Sequence, residues 1–216
     1  GRGYVQEENN GSMRHEAWDA LTLGPDGALL QERLTWHDVR GEPWIEERRT
    51  LRVHEPESDD ELLLTVTTEL AALPGRGPFR FTSPMIEGRP DPSGYSGLAL
   101  RLARAMTGGR IVNAAGTSGP EAMGQRAAWL HYAAKLDGSA KLCGAAVFDH
   151  PDNPRHPSPF FVRATPFGMI NPAFCWDEPY ELREGAPLRL TYGVWVHAGE
   201  AGPERVADVY ARWVGR

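Results

Sequence analysis

The densest group of reactive side chains follows the apolar run that ends at Phe148. Residues 149–157 read DHPDNPRHP, which places two imidazoles, two carboxylates, an amide and a guanidinium within nine positions. Seven of the 18 prolines lie between residues 149 and 180, and a loop stiffened in this way can hold polar groups in one arrangement. We expect His150 and His156 to act as acid–base groups or as metal ligands. The alternative is that the acidic and amide side chains cap turns and that both histidines are exposed.

A second polar segment spans residues 83–97. Glu87 and Arg89 are two positions apart, so both would project to one side of an extended chain. Glycines in this segment would allow the backbone to approach a ligand closely, and Tyr95 offers a ring for stacking. We expect Glu87 to be a second acid–base group. The alternative is a long surface loop with an exposed ion pair, which contributes little to stability.

Further candidates are side chains suited to binding a ligand that is rich in oxygen. Guanidinium groups bind anionic or hydroxylated substituents, a carboxamide binds hydroxyls, and aromatic faces stack on apolar surfaces. The candidates for substrate binding are Arg89, Tyr95, Asn153, Arg155, Arg163 and Trp176.

The segment 45–53 carries charge on both of its faces. If it is a strand, Glu47 and Arg49 share one face with Ile45, Leu51 and Val53. When that face is the core, the charged pair is either a structural ion pair or part of a cavity wall. Both interpretations are open at this point. Four of the other histidines, at positions 15, 54, 131 and 197, are interpreted as structural.

Strands are the elements that must position these groups. In residues 61–70 and 188–197, apolar side chains recur at every second position, which is typical of strands with one buried face. Gly, Pro and Asp clusters separate the runs, which favours antiparallel connections. We predict strands over residues 29–36, 44–53, 61–70, 98–106, 141–148, 159–165 and 188–197.

One helix is predicted, at the end of the chain. After Gly202 and Pro203, an apolar stripe with helical spacing consists of Val206, Val209, Tyr210, Trp213 and Val214. The resulting architecture is an all-β antiparallel β-sandwich with a C-terminal α-helix, in one domain over residues 1–216.

Composition restricts the classes of function. The 216 residues carry a net charge of −6, which disfavours a nucleic-acid or anionic-membrane surface, and no apolar run approaches the roughly 18 residues of a membrane span. The sequence has no P-loop and no dinucleotide fingerprint, so we expect no nucleotide cofactor. The two cysteines, Cys143 and Cys175, could pair, and we expect a cytoplasmic protein. Because the chain begins Gly1-Arg2-Gly3 without Met, we also expect that an N-terminal portion is missing.

Four stretches resemble one known family. They are residues 148–163, Glu87-Gly88-Arg89 with Gly94-Tyr95-Ser96-Gly97, residues 124–129, and residues 188–192. Together they resemble the PmoA-like family of bacterial proteins, whose label borrows the name of a methane-oxidising membrane subunit. The resemblance implies a β-sandwich related to the large sandwiches of aldose mutarotases, a sugar or polyol-like ligand, and further N-terminal strands with a His-rich stretch. The absence of an apolar span argues against methane oxidation.

Two hypotheses result. The first is an enzyme acting on sugars or related polyhydroxylated metabolites, of the epimerase, lyase or hydrolase type. It would use Glu87, His150 and His156, with a divalent metal as a further option. The second is a non-catalytic module that binds carbohydrate or a partner through exposed aromatic residues, namely Tyr95, Trp176 and Trp195. Association into a homo-oligomer, or with the missing N-terminal portion, is compatible with either.

Overall fold

A large antiparallel sheet is the framework of the molecule. The computed structural model describes residues 10–25, 27–89, 92–136 and 141–216. The first residues of the chain, on which the prediction of a missing start rests, and Pro90 and Asp91 of the second polar segment lie outside these ranges. The described strands are β1 (Ser12–Gly24), β2 (Gly27–His37), β3 (Pro43–His54), β4 (Glu61–Ala72), β5 (Phe79–Phe81), β6 (Leu100–Arg101), β7 (Arg110–Asn113), β8 (Trp129–Lys135), β9 (Leu142–Asp149), β10 (Phe160–Arg163), β11 (Met169–Pro172), β12 (Tyr180–Leu182) and β13 (Leu188–Ala198).

Eight of these strands form the main sheet, in the order β1-β2-β3-β4-β13-β9-β8-β7. Neighbouring strands are antiparallel throughout. The first four strands form a meander, and β13 then joins β4 to β9, so the last strand of the chain lies in the middle of the sheet. This position makes β13 the link between the two halves of the sheet.

The two faces of the main sheet have different covers. The back face carries Phe148 and Trp195, and helix α1 (Pro203–Val214) packs on it through Val206, Val209 and Trp213. The front face carries Val147 and Tyr192, and the short strands β5, β6, β10, β11 and β12 with their loops cover part of it. The helix uses the apolar stripe that its sequence predicts, because burial of that stripe removes most of its apolar surface from water.

The prediction of an antiparallel all-β, sandwich-like fold with a C-terminal helix is confirmed. The predicted strand over residues 98–106 is wrong, because only Leu100 and Arg101 pair with a neighbouring strand and Arg104–Met106 is a 3-10 helix. The alternating leucines of this segment pack on the front-face core from an irregular chain instead of from a strand. No described helix is long and apolar enough to cross a bilayer. Both cysteines are unpaired thiols.

Candidate functional site

A cavity of about 560 Å³ opens on the front face of the main sheet, where the cover of short strands ends. We call it the front cavity. Its floor consists of front-face side chains from β2, β3, β4 and β13, and its far wall comes from Phe81, residues 96–99 and Phe174. Aromatic rings surround it on several sides, namely those of Trp36, Phe81, Phe174 and Tyr192.

A buried carboxylate occupies one end of the front cavity. The side chain of Glu47 is only 1% exposed and accepts three hydrogen bonds. Trp36 Nε1 donates to Oε2 at 2.7 Å, and Arg49 Nε and Thr68 Oγ1 donate to Oε1 at 2.8 and 3.2 Å. With three donors around it, the carboxylate needs no water to satisfy its charge. Of the two interpretations that the sequence left open, the structure supports both, since Glu47 and Arg49 form an ion pair and also line a cavity.

The same network continues towards the surface. Arg49 Nη1 donates to Glu32 Oε1 at 3.2 Å, and Glu32 Oε2 lies 3.0 Å from His15 Nδ1. No described residue bonds the second terminal nitrogen of Arg49, whose side chain is 27% exposed. Arg49 thus pairs with two carboxylates, of which Glu47 lines the cavity and Glu32 lies behind it, and one guanidinium nitrogen remains available as a donor. The excess of negative charge around Arg49 disfavours an anionic ligand.

A tyrosine hydroxyl occupies another part of the cavity wall. Tyr192 is 3% exposed, and its Oη has no hydrogen-bond partner among the described residues. Burial raises the pKa of the Tyr192 phenol well above its ordinary value, and the nearby Asp149 carboxylate raises it further. The hydroxyl is therefore neutral, and a buried hydroxyl without a partner costs free energy until a ligand or water supplies one. In the register of the sheet, Tyr192 lies two strands and two residues from Arg49, about 12 Å between Cα atoms from ordinary strand spacings.

The predicted acid–base groups lie in three separate surroundings. Glu87 Oε1 accepts from Arg80 Nη1 at 2.7 Å and from Thr82 Oγ1 at 2.8 Å, and these bonds lower the pKa of its carboxyl. His150 accepts the amide hydrogen of Asp152 on Nδ1 and stands edge-on to Trp213 of α1. No hydrogen bond or ion pair among the described residues joins any two of Glu87, His150 and His156.

His156 has the contact best suited to proton transfer. Its Nδ1 lies 3.0 Å from Oδ2 of Asp149, whose side chain is fully buried at the end of β9. The same oxygen accepts the amide of Ser158, and Oδ1 accepts from Asn153 Nδ2. A fixed carboxylate on Nδ1 orients the imidazole and leaves Nε2 for exchange with solvent or a substrate.

Two of the predicted ligand-binding side chains bind backbone instead. Asn153 bonds the carbonyl and the amide of Thr191, which attaches the loop to β13. Arg155 donates to the carbonyl oxygens of Phe174, Glu178 and Pro179, so its guanidinium closes the loop around residues 174–179. These bonds use the donors that the prediction assigned to a ligand.

Of the remaining predicted residues, Tyr95 and Arg163 lie beside the Phe161 ring, and Arg89 contacts Tyr95. Arg89 donates to Tyr95 Oη at 3.3 Å, and the Tyr95 ring meets Phe161 edge-on. The segment carrying Glu87 is a turn and not extended chain, because Ser83 accepts the amides of Ile86 and Glu87, so Glu87 and Arg89 have different partners. Arg163 lies over the Phe161 ring, 5.0 Å from its centre.

Trp176 packs against glycine backbone. A Cβ placed at Gly94 would be 2.3 Å from its ring, and one at Gly124 would be 2.8 Å away. The second polar segment therefore contacts Trp176 through Gly94, whereas Trp176 lies outside the first polar segment. Trp195 is 1% exposed and donates its Nε1 hydrogen to Glu61, so it is not part of an exposed aromatic platform.

Sequence reasoning missed the residues that build the front cavity. Tyr192 and Thr68 fit an ordinary strand pattern, and Trp36 ends a predicted strand. The only signal was the charged pair Glu47 and Arg49 on an otherwise apolar face. Among the residues that the structure describes, no group of three or more His, Cys, Asp or Glu side chains is arranged to hold a metal ion.

Residues 1–211 match the model of a family of unknown function, DUF6807, and the chain belongs to that family. The resemblance to the PmoA-like family is wrong, since the matching family is DUF6807 and no match to a PmoA family accompanies it. No curated protein matches the chain.

Proposed function

We propose that this member of the DUF6807 family binds a neutral, polyhydroxylated, sugar-like small molecule in the front cavity. The observation that carries the proposal is the Tyr192 hydroxyl, which is buried in the cavity wall without a hydrogen-bond partner among the described residues. A ligand hydroxyl would satisfy it if the Gly97 segment that covers it shifts to admit the ligand. A buried polar atom with no partner is uncommon in native proteins and calls for such an explanation.

The walls of the front cavity fit the apolar faces of a sugar ring. Trp36, Phe81 and Phe174 present aromatic surface, and the few polar groups are concentrated at the Glu47–Arg49 end and at Tyr192. Ligand sites generally combine apolar walls with a small number of polar groups that fix orientation. The separation of about 12 Å between the Cα atoms of Arg49 and Tyr192 allows two ends of one ligand to be bound.

The charge at the polar end favours a neutral ligand. Glu47 and Glu32 face the single guanidinium of Arg49, so a carboxylate or phosphate on the ligand would meet a net negative surrounding. Neutral sugars and polyols avoid this repulsion and can still accept the free guanidinium hydrogen of Arg49. We therefore expect binding of neutral sugars in preference to sugar acids.

Isothermal titration calorimetry with a panel of neutral mono- and disaccharides and matched sugar acids tests this proposal. For a sugar that binds, Tyr192→Phe should weaken affinity about three- to tenfold, the value of one net hydrogen bond. Tyr210→Phe is the matched control, because Tyr210 is a partly buried tyrosine on α1 outside the cavity lining. Saturable heat from no sugar in the panel, or equal affinity in wild type and Tyr192→Phe, would contradict the proposal.

A second candidate function is acid–base catalysis on such a ligand, of the epimerase, lyase or hydrolase type. The contact between His156 and the buried Asp149 favours it, since an imidazole held by a carboxylate is a suitable proton carrier near neutral pH. No described hydrogen bond or ion pair joins the side chain of Glu87 or His150 to this pair, and none of Glu87, His150 and His156 lines the front cavity.

Proton NMR of neutral sugars in D₂O tests catalysis without knowledge of the substrate. A catalyst would accelerate anomeric interconversion or exchange of a carbon-bound hydrogen, and His156→Gln should lower that rate by about 10²-fold. His37→Gln, which changes a histidine on β2 outside the front-cavity lining and the Glu47–Arg49–Glu32 network, is the control. Rates equal to those in buffer alone would exclude this candidate for the sugars tested and would leave the binding proposal intact.

A further inference from the structure

A second and larger cavity, of about 780 Å³, lies at the β7 edge of the main sheet. We call it the edge cavity. Its walls come from β7, residues 118–120, β8, residues 162–165 and residues 200–203. It shares no lining residue with the front cavity, so a ligand in one does not compete for side chains with a ligand in the other.

Two arginines, Arg110 and Arg163, are among the residues that line the edge cavity, and the guanidinium of one of them has no anionic partner among the described residues. The Arg163 guanidinium lies over the Phe161 ring and forms no ion pair or hydrogen bond with any described residue. Arg110 approaches Glu200 at 3.5 Å, with both side chains more than 70% exposed, and such a pair contributes little. The lining therefore contains two arginines and one glutamate, in a chain whose net charge is −6.

The other polar groups of the lining are neutral donors. Ser118 and Thr165 contribute hydroxyls, and His131 contributes the edge of a buried imidazole. Burial and the neighbouring His197 and Arg110 lower the pKa of His131 to about 4, so this ring adds no charge near pH 7. The positive character of the cavity thus depends on Arg110 and Arg163.

We propose that the edge cavity is a second binding site, for a small metabolite that carries an oxyanion group, and that Arg110 and Arg163 hold this group. Phosphate and carboxylate oxygens accept the paired hydrogens of a guanidinium, and such charge-assisted bonds are stronger than neutral ones. The charged lining residues balance in the front cavity, Glu47 with Arg49, whereas the edge cavity has an excess of one arginine, so we expect their ligands to differ in class. A cavity of this size can also hold an apolar part of the ligand against Ile111, Val112 and Val162.

Calorimetry at low ionic strength with inorganic phosphate and, separately, with succinate tests the site. Either probe should give saturable heat, and comparison of the two identifies whether a phosphate or a carboxylate is preferred. Arg163→Gln should weaken binding about tenfold or more, the usual value of a hydrogen bond to a charged group. Glu200→Gln should strengthen it about two- to threefold, because it removes the one opposing carboxylate.

Arg183→Gln is the matched control, since Arg183 is an exposed arginine paired with Glu181 and lies outside the lining. Thermal melting of each variant establishes that it is folded, and Arg110→Gln replaces Arg163→Gln if the latter is not. Binding should weaken as NaCl increases. Absence of heat from both probes, or equal affinity in wild type and in the folded Arg110 or Arg163 variant, would overturn the proposal. The affinity of Arg163→Gln for a neutral sugar should equal that of the wild type. Failure of the anion-binding proposal for the edge cavity can therefore be distinguished from failure of the sugar-binding proposal for the front cavity.

Discussion

Gly97 lies directly against the hydroxyl of Tyr192, so that a Cβ at position 97 would be 3.1 Å from Tyr192 Oη. Gly97 has a φ of +73°, a conformation that favours glycine. The contact forms the inner wall of the front cavity, where a loop from the cover meets the central strand of the sheet. Glycine at position 97 therefore allows the backbone to lie close to the Tyr192 side chain, at the place where the proposed ligand would bind.

Gly97→Ala should destabilise the protein by about 2 kcal/mol, from the left-handed backbone and the close contact together. Gly185→Ala is the control, because Gly185 has a similar φ of +74° and a Cβ placed there would meet nothing within 4 Å, and it should cost about 1 kcal/mol. Urea unfolding of both variants measures the difference. If the contact with Tyr192 is responsible, the double variant Gly97→Ala/Tyr192→Phe should recover the additional loss. Equal losses at both glycines would contradict this account.

Tyr192→Phe should stabilise the ligand-free protein by about 1 kcal/mol, because it removes a buried hydroxyl that has no partner among the described residues. Tyr132→Phe provides the opposite case. Tyr132 is also fully buried, but its hydroxyl donates to the Met106 carbonyl at 2.6 Å and accepts the Gly109 amide at 2.9 Å. Its removal should cost about 2 kcal/mol. Chemical denaturation measures the free energy of unfolding of both variants. A change in the same direction for both would contradict the assignment of the Tyr192 hydroxyl as unpaired and the Tyr132 hydroxyl as paired.

Glu47→Gln should lower the free energy of unfolding by about 2 kcal/mol, since the amide cannot accept all three hydrogen bonds that the carboxylate accepts. Glu46→Gln is the matched control on the opposite face of the same strand. Glu46 pairs with Arg48 at the surface, and its substitution should change stability by less than about 0.5 kcal/mol. Urea midpoints of the two variants decide the question, and similar small effects at both positions would show that the buried pair does not stabilise the sheet.

His131 and His197 should make stability depend on pH between about 4 and 6.5. Their Nε2 atoms lie 3.0 Å apart, and burial lowers the pKa of both rings, that of His131 to about 4. The unfolded chain therefore binds a proton at higher pH than the folded chain. Stability from this source is complete above pH 6.5 and is lost as the pH falls towards 4, by about 3 kcal/mol for His131.

Urea unfolding from pH 7.5 to 4.5 measures this dependence. Carboxylates also titrate in this range, so the informative quantity is the difference in slope between wild type and His131→Gln. The variant should be less stable at pH 7.5 and should lose less stability on acidification. An unchanged slope in His131→Gln would contradict the prediction.

Much of the secondary structure could be predicted because local periodicity determines it. The alternation in residues 61–70 and 188–197 predicts β4 and β13, and the stripe after Pro203 predicts α1. The same reasoning failed at residues 98–106, where alternating leucines pack on the core without strand pairing. Alternation of apolar and polar residues indicates that one side of a segment is buried. An irregular segment that packs on the core can show the same alternation as a strand.

The residues of the polar loops were identifiable from sequence, but their partners were not. The group at residues 149–157 does contain an imidazole held by a carboxylate, His156 with Asp149. Nothing in the spacing indicates that Asn153 and Arg155 would bind the backbone of distant segments. Such bonds depend on which carbonyl groups the fold leaves unpaired, a property of the whole chain.

By itself, the sequence determined an acidic, turn-rich chain of antiparallel strands with a closing helix, since turn residues and periodicity act over a few positions. Only the tertiary structure decided where its cavities lie. Tyr192 is a regular strand residue whose hydroxyl becomes significant because Gly97, far away in sequence, approaches it without supplying a partner. Likewise, Arg110 and Arg163 share one cavity because β7 and the end of β10 meet at one edge of the molecule. The chemistry of a site depends on such long-range contacts, which sequence spacing does not encode.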